Sequence, residues 1–379
     1  MSPNDGRSGR LAGAATTGTT NWPEYRFSSR RTGFNPGETV LTPSNVVGLR
    51  LRWSHFADAA VGSAPAVVNG VAYVGTIDGG VAAVDAATGS PVWGRNTQGG
   101  NSSSPAVASG VVYVGTGQDG SIEDFYAVKA TTGAVLWGYN SGGGGITSSP
   151  AVAAGAVYVG DNDGDLDAFN ATGARLWSYV AGSQVWSSPA VANGVVYVGT
   201  NNCYVHALDA ATASRLWSYA TGTTGSIQCA VVTAPALVNG VLYVSANNGN
   251  VYALKASTGA KLWSHTTGSG LSSPAVANGV VYVGSSNGNL YALKASTGAK
   301  LWSHTTGGSV SSPAVANGLI YVGSSNGNVY ALNASTGAKR WSYNTGVLGG
   351  GPNAIVVNGV LYVGGFPDGN LYAFGLPVR

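Results

Sequence analysis

Carboxylates are scarce in this chain, and seven of them crowd into two short stretches: Asp119, Glu123 and Asp124, then Asp161, Asp163, Asp165 and Asp167. Closely spaced acids can offer several oxygens to a hard cation such as calcium. The run Asp161-Asn-Asp-Gly-Asp-Leu-Asp167 superficially matches a calcium loop, with Asp161, Asp163 and Asp165 as its ligands. Its glycine is out of place relative to D-x-[DN]-x-[DN]-G, however, and Asp163-Gly164 serves equally as the tip of a hairpin. A solvated turn with no metal is the favoured reading, ahead of a metal site or a surface for a basic partner.

Cys203 and Cys229 form the other reactive pair. Cys203 follows Asn202 in a turn where the rest of the sequence places glycine, a residue suited to positive φ. A disulfide between the two would stabilise by roughly 3–4 kcal/mol in the chain-entropy model. Two buried free thiols are the alternative. Trp186, in Gln184-Val-Trp-Ser187, breaks the surrounding pattern. An aromatic there, with Gln184 beside it, could stack on a sugar or an aromatic ligand, or it could plug a channel. His206 replaces a recurrent tyrosine and reads as a packed side chain rather than a ligand. No Ser-His-Asp set, phosphate-cradling glycine loop or pair of catalytic carboxylates can be assembled from spacing, so no catalytic residue is assigned.

These residues interrupt a repeat. Ser272–Gly307 recurs almost verbatim in the next 39 residues, and copies of it extend from about Leu49 to the end. A period near 40 signals a propeller, a solenoid or an array. One unit encodes four short strands: Pro274–Ala277, Val280–Val283, Leu290–Leu293 and Lys300–His304. Asn278-Gly279 and Asn287-Gly288 are expected to form two-residue turns with positive φ. The second strand is apolar throughout, as for a strand covered on both faces, whereas the fourth alternates like a half-exposed edge. Tyr73, Tyr113, Tyr158, Tyr197, Tyr243, Tyr282, Tyr321 and Tyr362 mark eight second strands. Trp53, Trp93, Trp137, Trp177, Trp217, Trp263, Trp302 and Trp341 mark eight fourth strands. Trp53 precedes any complete unit, and the last unit stops at Phe374 before its fourth strand. The segment Leu51–His55 should therefore complete the last blade and close an eight-bladed, all-β propeller over residues 49–379. Blade two carries extra residues around Gln118–Asp124, and the connection between blades four and five lengthens through Thr223–Thr233.

Residues 1–20 are rich in Gly, Ala, Ser and Thr and read as a disordered leader. Residues 21–48 are expected to pack irregularly on the ring. Charged residues make up only 9% of the chain, so Ser, Thr, Asn and Gly must keep its surface wet. Residues 1–52 hold seven arginines against three acids, for a charge of +4; the remainder sums to −1. That modest excess reads as a solvated leader and gives no nucleic-acid surface. No apolar run suits a signal peptide or a transmembrane helix. The expectation is an extracytoplasmic protein whose export signal lies outside this sequence, with a cytoplasmic one as the alternative.

Six of the tryptophans follow a Thr-Gly turn, as in Ala256-Ser-Thr-Gly-Ala-Lys-Leu-Trp263. This pattern resembles the tryptophan-docking repeats of the quinoprotein (PQQ-like) propellers. Trp22-Pro-Glu-Tyr25 with Thr32-Gly33-Phe34-Asn35 is similar to the segment preceding the ring in BamB-like proteins of that family. The resemblance implies that each of the eight tryptophans locks its blade to a neighbour. For dehydrogenases of the family it would also imply PQQ with calcium, a catalytic Asp and often adjacent cysteines. Cys203 and Cys229 are not adjacent, and no C-x-x-C-H motif occurs. For a barrel-assembly lipoprotein it would imply a lipid-bearing cysteine near the start, where this chain has none.

The combined expectation is a non-catalytic binding or scaffold propeller, monomeric and without a cofactor. It would take an unknown protein, small molecule or glycan on the rim of blades two to five. The alternatives are a PQQ- and calcium-dependent alcohol or sugar dehydrogenase, or a carbohydrate-binding or carbohydrate-active propeller.

Overall fold

The computed structural model describes residues 21–97, 99–100, 103–117, 123–222, 229–346, 353–365 and 367–377. Residues 1–20 and Asp119 lie outside the described residues, as do parts of the two lengthened loops. Each repeat folds as an antiparallel meander, shown by blade six: Ala275–Ala277, Val280–Gly284, Asn289–Lys294 and Lys300–Thr305. Its second strand is buried from Val281 to Gly284, and its fourth alternates between exposed and half-buried. Eight such sheets form an eight-bladed propeller. Blade eight joins Ala354–Val357, Val360–Gly364 and Asn370–Gly375 to Arg50–Phe56, so the first long strand of the chain closes the ring.

The first hairpin of every blade has two positive-φ residues, as Asn278 (50°) and Gly279 (76°) show. The second turn differs from the expected two-residue form. Only Gly288 takes positive φ there, the Gly288 N–H bonds the Ser285 carbonyl, and the Asn287 side chain accepts from the Asn289 N–H. A four-residue turn with a single left-handed glycine results, because the asparagine side chain supplies the bond that a tighter turn would take from the backbone.

Neighbouring blades meet through the tryptophans. Trp93, Trp137, Trp177, Trp217, Trp263 and Trp302 each donate their indole N–H to an alanine carbonyl of the next blade, at 2.8–3.2 Å. Trp341 donates instead to Leu49, just before the closing strand. Trp53 has no partner for its N–H among the described residues, yet its ring lies 2.6 Å from where a Cβ on Gly89 would sit. The turn glycine thus answers both a positive φ of 74° and the close approach of an indole. Blade four has Ala213 in that place, at a φ of 60°.

Residues 22–35 do not lie on the outside of the ring; they thread its axis. The innermost strands present unpaired backbone edges to the channel, an arrangement that requires covering. Trp22 exchanges two backbone bonds with Val67 of blade one, and the Pro23 carbonyl accepts from Val107 of blade two. The Glu24 carboxylate accepts from Val152 of blade three. The carbonyls of Ser29, Arg30, Thr32 and Gly33 accept from Val191, Leu237, Val276 and Val315 of blades four to seven. Asn35 finally donates to the Val356 carbonyl of blade eight. The segment visits all eight blades in order.

Candidate functional site

The axial segment divides the channel. It enters and leaves beside the inner hairpins, where the Asn69 N–H bonds Asn21 and Asn317 bonds the Leu41 carbonyl. At the opposite mouth the inner strands begin, and a cavity of about 220 Å³ remains. Tyr25 floors it, Trp186 stands in its wall, and small residues including Ser104, Ser149, Ser188 and Ser273 complete the lining. Those serines link the blades. The Ala64, Ser104 and Ser149 N–H groups donate to the hydroxyls of Ser104, Ser149 and Ser188, and those of Ala234 and Ser273 to Ser273 and Ser312. The Tyr25 hydroxyl lies 3.2–3.3 Å from the Ser273 and Ser312 hydroxyls.

Beneath the floor are two buried arginines and one buried glutamate. Arg31 is fully buried; it donates to the carbonyls of Tyr25, Ser149, Pro150 and Pro189 and lies 3.6 Å from the Glu24 carboxylate. Arg26 donates to the carbonyls of Pro274 and Pro313. Burial pushes the Glu24 carboxyl up to about 7 against the pull of Arg31. Burial likewise lowers both guanidiniums, Arg26 to about 10. Four of the carbonyls that accept from the arginines belong to the prolines that open the inner strands of blades three, four, six and seven.

The residues singled out in the sequence do not assemble into one centre. Trp186 is 43% exposed at the cavity mouth. Gln184, two residues earlier, is held to blade four: its carbonyl accepts from the Asn201 N–H, and its side chain meets Ser183 and Asn201. Cys203 and Cys229 form a disulfide, with Cα atoms 5.0 Å apart, between the second turn of blade four and the connection to blade five. Cys203 takes the glycine's conformation, with φ at 77°.

The acids are turn-builders for the most part. Asp161 accepts from the N–H groups of Gly164 and Asp165, and burial lifts its carboxyl to about 6. Asp163 is exposed and Asp165 half-buried. Asp124 is buried and accepts from the N–H and hydroxyl of Ser141, while Glu123 covers Gly138. Asp167 is buried 3.7 Å from Arg175, with its pKa raised by burial. Among the described residues no three His, Cys, Asp or Glu side chains are grouped to hold a metal ion.

Sequence reasoning missed the floor. The arginine excess that includes Arg26 and Arg31 read as a solvated leader, and Tyr25 only as part of a segment packed on the ring; the available signal was the concentration of arginine ahead of a ring whose charges nearly balance.

None of the curated proteins matches the chain. Among solved structures it is similar to quinohemoprotein alcohol dehydrogenase from Comamonas testosteroni: 18% identity, TM-score 0.80, covering 95% of this chain and 81% of that one. BamB from Moraxella catarrhalis has 21% identity and a TM-score of 0.72, over 86% of this chain and 99% of that one. The computationally designed Ika8 protein has 18% identity and a TM-score of 0.72, over 84% and 96%. At such identities the likeness establishes the fold. A family model described as outer membrane protein assembly factor BamB matches residues 8–137, 123–272 and 248–376. Three overlapping passes of that model run through almost the whole chain, which therefore belongs to the BamB family of PQQ-like propellers.

Proposed function

We propose that this protein is a non-catalytic binding propeller, extracytoplasmic in location, that takes its partner on the face formed by the axial mouth and the rim of blades two to five. The observation that carries this reading is the chemistry of the axial cavity. PQQ is a fused-ring tricarboxylate, and holding it with calcium calls for basic side chains and carboxylate ligands. The described lining residues include no Lys, Arg, Asp or Glu. The guanidiniums beneath the floor face backbone carbonyls instead. These residues do not fit PQQ with calcium, and no catalytic step is derived through it. The exposed Trp186 and the disulfide-fastened connection on the same face suit a binding surface, where an aromatic anchor contributes most. The disulfide also favours an oxidising compartment.

Titration calorimetry with PQQ and calcium, followed by a dye-linked assay on alcohols and sugars, tests the proposal. No binding and no turnover are expected; a stoichiometric complex that oxidises substrate would overturn it. A second reading is favoured by Trp186 alone, since a half-exposed indole beside a ring of hydroxyls suits a sugar. A glycan array compared between the native chain and Trp186→Ala decides that point: signal lost in the variant supports a glycan, and none above background dismisses it.

A further inference from the structure

Blade one lacks a side chain that the rest of the ring supplies. The third-strand residue paired with the fourth residue of the second strand is Tyr126, Asp167, His206, Tyr252, Tyr291, Tyr330 and Tyr372 in blades two to eight, but Ala82 in blade one. The outer-strand residue paired with Ala82 is Gly94, where blades three to eight have serine. Gly80 likewise replaces the asparagine that opens this strand in blades five to eight.

Ala82 and Gly94 meet at one place, beside a cavity of about 310 Å³ lined by Ala57, Asp78, Gly80, Ala82, Gly94 and Arg95 among others. That volume is at the lower end of small-ligand sites. A Cβ built on Gly94 meets nothing within 4 Å.

The other blades indicate what this space is shaped for. Where tyrosine is present, its ring is largely buried and its hydroxyl reaches two groups. One is a backbone carbonyl at the end of the preceding outer strand: Thr97 for Tyr126, Thr221 for Tyr252 and Thr306 for Tyr330. The other is the turn residue four positions earlier: Asn248 for Tyr252, Asn326 for Tyr330 and Asp368 for Tyr372. Blade one keeps both positions. Ala57 follows the closing strand, and Asp78 is the turn residue. The bonds that Asp78 accepts from Thr76 and Gly80 both fall on Oδ1, so Oδ2 carries neither of them. The Arg95 side chain turns the other way, donating to the Gly133 carbonyl of blade two, so this strand borders the cavity through its backbone and Gly94.

We propose that blade one is a phenol-binding site. A para-substituted phenol fills the place of the absent tyrosine ring, donates its hydroxyl to Asp78 Oδ2 or the Ala57 carbonyl, and directs its substituent to solvent past Gly94. The phenol comes either from a free small molecule or from a tyrosine side chain of a partner protein.

Amide NMR of the full chain titrated with p-cresol tests this. Saturable shifts confined to the neighbourhood of Ala57, Gly80 and Gly94 are expected, and 4-methylcyclohexanol should produce weaker ones. Ala82→Tyr should remove p-cresol binding and raise Tm. Should that variant fail to fold, Gly94→Leu fills the same space from the outer strand and should also block binding. No saturable shifts, or binding unchanged by a folded filling variant, would overturn the proposal. N-acetyl-tyrosinamide and a tyrosine-bearing peptide separate the sources. Equal affinity with p-cresol indicates a free phenol, and tighter peptide binding indicates a partner's side chain.

Discussion

His206 lies between Tyr179 and Tyr204, 4% exposed, and neither ring nitrogen has a hydrogen-bond partner among the described residues. Burial, helped by Arg215, lowers its pKa from 6.5 to about 4. Between those values the unfolded chain binds a proton at this ring and the folded chain does not. Stability therefore falls as pH drops from 6.5 toward 4, by a total on the order of 3 kcal/mol. His206→Tyr, which restores the residue used by the neighbouring repeats, should remove that slope. Urea midpoints at pH 7 and pH 4.5 provide the measurement; equal acid losses in both proteins would assign the slope elsewhere. The substitution was visible in the sequence because a regular repeat exposes its exceptions. The absence of partners was not, since it depends on which side chains the adjoining blade turns toward the ring. For the same reason Asp124 and Asp161 read as rim acids, although they bond Ser141 and the turn amides of their own blades.

Among the elements, the second turn of blade four was the most legible. A cysteine in a glycine's place asked for a reason, and the structure supplies one: the bridge to Cys229 spans 26 residues and fastens the turn to the next connection. Replacing both cysteines with serine should lower stability by about 3 kcal/mol while leaving the far-ultraviolet spectrum unchanged. A Cys203→Gly, Cys229→Ser pair should lose less, because glycine accepts a φ of 77° freely. Chemical denaturation of the three proteins compares them; identical losses in the two variants would mean that backbone strain at residue 203 contributes nothing. The shape of the second turn was less legible. Asn-Gly is compatible with both a two-residue and a four-residue turn, and the choice depends on whether the asparagine side chain caps the following residue.

For the whole molecule, repeat period, blade count and ring closure could be read directly. Each rests on patterns of apolar and turn residues that fold the same way eight times. The axial segment could not, because charge patterning treats arginine and glutamate as solvated, whereas here inward-facing proline carbonyls accept from the arginines, and Arg31 with the Val152 N–H partners Glu24. Arg31→Ala would leave Glu24 without its cation and four carbonyls without their donor, and a loss of about 3–5 kcal/mol is expected. Arg31→Lys should recover little of it, since an ammonium cannot reproduce the planar fork. Hydrogen exchange provides the local readout: the Val191, Leu237, Val276 and Val315 amides should lose protection together. Fast exchange at Val191 alone would limit the arginine's influence to its own side of the ring.

Ring closure also dictates an order of events during synthesis. Arg50–Phe56 leaves the ribosome about 300 residues before Asn370–Gly375, the strand it pairs with. A nascent chain can therefore complete seven sheets and still carry an unsatisfied strand at each end, both prone to pairing with other chains. A polypeptide cut short near residue 370 would lack the strand that Arg50–Phe56 pairs with, and its exposed edges would make it prone to association.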